Sequence, residues 1–180
     1  MAKFKEQLDD KLIEFINNQQ MFFVATAPKE GKINISPKGL DGSLKIIDEK
    51  TIIWLNHFGS GNETAAHLQE DNRLTMMFCA FDGKPLILRL YCEVKFVQEK
   101  DDTWDEYTNH FDYTKGARQV FELNILSVNS SCGMGVPLYD FVSQRDDLTN
   151  YYDNSTKEDH VKYMKKKNQI SFDGKATNLF

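Results

Sequence analysis

The chain has 180 residues, of which 41% are hydrophobic and 27% charged, with a formal net charge of −5. That length and apolar content suit one compact core and leave little room for two domains, and an acidic balance excludes a general electrostatic attraction to nucleic acid. No run of about 18 apolar residues and no basic-apolar-small leader is present, so neither membrane insertion nor secretion is expected and the chain reads as cytoplasmic.

Phe4, Leu8, Leu12, Phe15 and Ile16 recur at spacings of three and four, predicting an opening amphipathic helix. Met21–Thr26, the turn residues Pro28-Lys29-Glu30-Gly31 and the segment from Asn34 read as a strand, a turn and a returning strand. A connecting stretch with one short strand follows, then a confident strand over Thr51–Leu55 and a short helix after Gly61. Leu74–Ala80 reads as a buried strand, and Phe81-Asp82-Gly83-Lys84 turns the chain into a long strand from Leu86 to Val97, with Arg89 and Tyr91 on one face. A helix over Asp101–His110 and a strand over Val120–Val128 complete the main body. Ser155–Asn168 is charged and helical in pattern, with Val161 and Met164 as its apolar contacts. Hairpin-linked strands with few short helices predict a mainly β fold, a closed or nearly closed antiparallel barrel rather than a parallel sheet. A Rossmann fold is disfavoured, because Gly59-x-Gly61 is followed by Thr64 where that fingerprint needs a third glycine.

Two elements could recognise an anion. The first is Gly59-Ser60-Gly61-Asn62, which joins a strand to a helix start, where unpaired N–H groups favour negative charge. The same letters also spell a capping box, in which the Ser60 hydroxyl and the Glu63 carboxylate satisfy those groups internally. The second is the strand Asn34-Ile35-Ser36-Pro37-Lys38, whose alternation puts Asn34, Ser36 and Lys38 on one face and Ile33 and Ile35 on the other. An amide, a hydroxyl and an ammonium in a row can receive a phosphate or the polar edge of a heterocycle, or they can form an ordinary solvated face. Pro37 places this strand at an edge or a bend.

Three cysteines, Cys79, Cys92 and Cys132, and four scattered histidines show neither disulfide pairing nor the spacing of a metal centre. The thiols read as buried and structural, Cys132 included, and His57 reads as a loop histidine.

Asn34-Ile35-Ser36-Pro37-Lys38-Gly39, Gly59 to Leu68, Met77-Phe78-Cys79-Ala80-Phe81, Leu88-Arg89-Leu90-Tyr91 and Ser131 to Pro137 occur in one order that resembles the pyridoxamine 5'-phosphate oxidase-like family of flavin-binding split barrels. The likeness spans roughly residues 10 to 137. It implies a six-stranded antiparallel split barrel over residues 1–137, a homodimer, and FMN held in a groove between subunits. Residues 138–180 would form a polar extension packed on the barrel or on the partner subunit. The resemblance also implies that Ser60, Gly61 and Asn62 hold the flavin phosphate with Lys38 as the nearby cation, and that Asn34 and Ser36 bond the ring edge or ribityl chain. Arg89 would either neutralise the phosphate or pair with Glu93 or Glu122. True pyridoxamine phosphate oxidases carry a C-terminal arginine and histidine stretch that nothing after Pro137 matches, so pyridoxamine phosphate is not the expected substrate. The implied activity is an FMN-dependent oxidoreductase acting on a small molecule or reduced nicotinamide, with a non-enzymatic flavin or haem carrier or sensor on the same barrel as the alternative. No catalytic side chain and no metal ligand is assigned.

Overall fold

A computed structural model describes residues 3–180. Eight strands form a single curled sheet in which every pairing is antiparallel. They are β1 (Lys3–Lys5), β2 (Phe22–Thr26), β3 (Asn34–Lys38), β4 (Leu44–Ile46), β5 (Thr51–His57), β6 (Arg73–Cys79), β7 (Ile87–Gln98) and β8 (Ala117–Ser131). The order is β3-β2-β6-β7-β8-β5-β4, with β1 paired to β8 beyond the end of β5. The mainly β split barrel expected from the sequence is therefore present, with eight strands rather than six. The two additional short strands have three residues each; β4 lies in the connecting stretch where one short strand is expected, and β1 is too short for alternation to declare.

Burial follows the pleat. Val24, Ile52, Trp54, Met76, Phe78, Leu88, Leu90, Phe121 and Leu123 project from one face into a common core, which the curl of the sheet wraps. Helix α1 (Asp10–Asn17) covers one end of it through Leu12, Ile13, Phe15 and Ile16. This helix starts later than its spacing suggested. The Asp9 carboxylate accepts from Leu12 N at 3.0 Å and so fixes the N-cap there, while Phe4 lies in β1, exposed. Helix α2 (Glu63–Leu68) plugs the core with Ala65 and Leu68, and α3 (Trp104–Thr108) packs Trp104 and Tyr107 against Ile53, Phe111 and Val120.

β3 is an edge strand, as Pro37 requires, since proline offers no N–H to an outer neighbour. After β8 the chain runs without regular structure to α4 (Asp147–Asp153) and α5 (Lys157–Lys167), the latter opened by a capping box between Thr156 and Asp159. Tyr152, Met164 and Leu179 form a second small core with Phe58, the residue just before the Gly-Ser-Gly turn. The packing face of α5 includes His160, whose ring lies 4.9 Å from that of Phe58, as well as Val161 and Met164.

Candidate cofactor site

The turn between β5 and α2 is gripped on one side and open on the other. The Phe58 carbonyl accepts from the Tyr152 hydroxyl, the Gly59 carbonyl from Asn168 Nδ2 at 2.8 Å, and the Gly61 carbonyl from Arg118 Nη1 at 2.8 Å. Ser60 and Gly61 are exposed. A Cβ placed on Gly59 would meet nothing within 4 Å, and one on Gly61 only the tip of Glu63 at 3.8 Å, so a ligand can approach this backbone closely. No N–H of Ser60, Gly61 or Asn62 reaches a backbone carbonyl among the described residues.

The capping box is not formed. Asn62 is the N-cap of α2 and makes no side-chain cap bond. The Glu63 carboxylate instead accepts from Phe172 N at 2.9 and 3.2 Å, a contact from 109 residues away that turns it aside from the turn. It lies 3.9 Å from His67 Nε2, too far for a hydrogen bond. The other nitrogen of that buried ring, Nδ1, lies 3.0 Å from Thr26 Oγ1.

The row of donors on β3 shares one face, as the alternation predicted, and that face points inward. Asn34, Ser36 and Lys38 stand opposite Thr26, Val24 and Phe22, whereas Ile33 and Ile35 are exposed. The row meets α2 at its first end, where Asn34 Nδ2 is 3.5 Å from the hydroxyls of both Thr26 and Thr64. At its other end the Lys38 ammonium lies over the Trp54 ring, 5.4 Å from the centroid. Burial, and secondarily the Arg118 charge, push the Lys38 ammonium down to about 8.

Arg118 is the functional candidate that sequence reasoning missed. Asn56 pairs with Gln119 and His57 with Ala117, so Arg118 is the unopposed residue of a β-bulge, a device that re-aims a side chain. It is 6% exposed. Its Nη1 also donates to Asn168 Oδ1 at 2.8 Å, while its buried Nε has no partner. Desolvation lowers it to about 10, partly offset by Tyr152 and Tyr163. Among the described residues, neither Lys38 nor Arg118 has a carboxylate within ion-pair distance. A half-buried and a buried cation without an acidic partner favour a negatively charged group between them and the solvent.

Arg89 is not part of this group. In the cross-strand row Pro37, Phe23, Met77, Arg89 it occupies the outer face of the sheet, opposite to Lys38, and it donates to Ser131 Oγ at 3.2 Å. The pairing with Glu93 or Glu122 is absent; Glu122 is taken by Lys95 at 2.9 Å and by the Tyr107 hydroxyl. Cys132 is exposed rather than buried, unlike Cys79 and Cys92. His57 ends β5 between the rings of Tyr113 and Tyr152, and burial pushes it down to about 4.

The sequence profile described as pyridoxamine 5'-phosphate oxidase matches residues 8–132, which include β2 to β8 and the turn. The chain belongs to the pyridoxamine 5'-phosphate oxidase-like family. A relative in this family, the protein ustO of Aspergillus flavus, is 41% identical over 144 residues, covering 78% of this chain and 58% of ustO. The chain thus spans little more than half the length of that curated relative. Among solved structures, a variant of HupZ from Group A Streptococcus superposes with a TM-score of 0.54 at 19% identity, over 68% of this chain and 98% of HupZ. An FMN-binding protein from Syntrophomonas wolfei gives 0.47 at 20% identity, over 63% and 78%. The family profile stops at residue 132, so Tyr152 and Asn168, which grip the turn, lie outside the matched region. Among the described residues no helix is long and apolar enough to cross a membrane.

Proposed function

We propose that the chain is an FMN-dependent oxidoreductase that works as a cytoplasmic homodimer on a small molecule or on reduced nicotinamide. The observation carrying this reading is a pair of acid-free cations, Arg118 on the open Gly-Ser-Gly turn and Lys38 close enough to feel its charge. A phosphate monoester dianion matches that surplus of positive charge and the exposed amides. Family membership makes a flavin the natural bearer of the phosphate.

In this reading the Ser60 hydroxyl and the Ser60, Gly61 and Asn62 amides bond the phosphate oxygens, and Lys38 and Arg118 supply the countercharge. Asn34 and Ser36, on the same face as Lys38, bond the ribityl chain or the ring edge. FMN, when bound, supplies the redox chemistry, and the chain's own residues orient it and keep water away. Dimerisation draws support from two exposed apolar stretches, Ile33 with Ile35 at β3 and Leu138, Tyr139, Phe141 and Val142 after β8, because exposed apolar runs mark interfaces.

The test is the visible spectrum of the purified protein with an FMN titration followed by fluorescence. An oxidised-flavin spectrum and saturable quenching, with turnover on NADH or NADPH, support the proposal. Retention of flavin without turnover, or a haem spectrum, would replace it by a carrier or sensor. A colourless protein that leaves FMN fluorescence unchanged would remove it.

A further inference from the structure

The turn owes its shape to side chains that hold its carbonyls. In a trans peptide, the C=O of one residue and the N–H of the next point in opposite directions in one plane, and no cis peptide occurs among the described residues. Holding the Phe58, Gly59 and Gly61 carbonyls against Tyr152, Asn168 and Arg118 therefore turns the N–H groups of Gly59, Ser60 and Asn62 away from those side chains. Three amides of one short turn are thus fixed by three side chains that hold the backs of their peptide planes.

Asn168 is the centre of this arrangement. It is fully buried and uses both ends of its amide, donating to Gly59 O and accepting from Arg118. Its own backbone is pinned in turn. Asn168 N donates to Met164 O at 2.8 Å, and Asn168 O accepts from the Thr177 hydroxyl at 2.7 Å. The amide thus sits at the end of α5 on a rigid support and fixes the Arg118 guanidinium as well as the turn. A carboxylate here would pair with Arg118 and cancel its charge; an asparagine orients the cation and leaves the charge available.

We propose that Tyr152, Asn168 and Arg118 position the turn's amides for a phosphate, Arg118 alone also supplying charge, so that the segment after residue 146 completes phosphate recognition without touching the ligand. This rests on the FMN reading above and assigns a role to the segment that the family match leaves uncovered.

Riboflavin, which lacks only the phosphate, separates positioning from simple support of the fold. Kd values for FMN and riboflavin are measured by fluorescence quenching on the full chain and on Asn168→Asp and Asn168→Ala. Asn168→Asp keeps the size and the contact to Arg118 but cannot donate to Gly59 O; Asn168→Ala adds no charge. The wild-type protein should prefer FMN, and both variants should lose that preference by about tenfold or more, with riboflavin affinity held within about twofold. Equal weakening of both ligands, or no change in either, would overturn the proposal and leave the three residues a structural role. A wild-type protein that binds both ligands alike, or neither, would fail earlier, at the phosphate reading itself, and take the proposal with it. Should the Asn168 variants not fold, Tyr152→Phe, which keeps the ring but loses the donor to Phe58 O, must reduce the FMN-to-riboflavin ratio in the same direction; an unchanged ratio refutes the proposal equally.

Discussion

Replacing Lys38 by methionine should make the cofactor-free protein more stable and its FMN binding weaker. The ammonium has no acidic partner, and its pKa falls from the ordinary 10.5 to about 8. At 1.36 kcal/mol per pH unit, that drop means the protonated side chain destabilises the folded apoprotein by about 3 kcal/mol at neutral pH. Losing the contact with the Trp54 ring returns about 1 kcal/mol. Methionine fills similar space, so the net gain is about 2 kcal/mol, or roughly 4–8 °C in Tm for a chain of this size. The sign of the pH dependence is fixed as well. From about pH 8 to 10.5 the unfolded chain keeps a proton on Lys38 that the folded apoprotein has released, so unfolding takes up a proton and stability rises with pH across that window. FMN affinity should run the other way, falling above about pH 8 as the ammonium is lost, and the variant should bind about 10- to 100-fold more weakly with this pH dependence removed. Thermal melts of the apoprotein and fluorescence titrations at several pH values measure both. A lower apoprotein Tm in Lys38→Met, or an unchanged FMN affinity, would refute the idea that this cation is held for an anion.

Gly116 has φ +72°, and a Cβ there would lie 2.6 Å from the Tyr152 ring, so Gly116→Ala should cost about 2–4 kcal/mol, readable in a urea melt; a loss under about 0.5 kcal/mol would contradict the packing. His57, pushed by burial from 6.5 down to about 4, takes up its proton in the unfolded chain first. Stability should thus fall by about 2–3 kcal/mol as pH drops through that window, and His57→Phe should flatten this part of the profile. Cys132 should be alkylated by iodoacetamide in the native protein while Cys92, buried and pushed up to about 12, stays unmodified until unfolding, as peptide mass spectrometry would report.

The fold was legible where the governing interactions are local. Alternation in Asn34–Lys38 showed which side chains share a face, and Pro37 marked an edge or a bend, because both are properties of a single strand. The capping box at Ser60–Glu63 misled for the complementary reason. Its letters are local, but the carboxylate is drawn off by Phe172 N, and no window of sequence contains both. The polar composition of the last 40 residues likewise concealed that Tyr152, Asn168 and Thr177 are fully buried. Polar groups can be buried when each is hydrogen-bonded, and whether they are depends on partners more than 90 residues away for Tyr152 and more than 100 for Asn168.

The site divides along the same line. The groups expected to touch a ligand, Lys38 on β3 and the Ser60–Asn62 turn, were readable because a donor row and a glycine turn have local signatures. The groups that orient them were not. Arg118 reaches the turn only because the β5–β8 ladder carries one extra residue on β8, and a bulge is a mismatch between two strands, invisible in either alone. Arg89 shows the converse: its charge made it a candidate, but the register from Pro37 through Phe23 and Met77 puts it on the outer face. A cation's usefulness to a phosphate depends on which face it leaves and whether an acid has already claimed it. Lys38 and Arg118 meet both conditions, and only the assembled sheet tells them apart from the other basic residues of the chain.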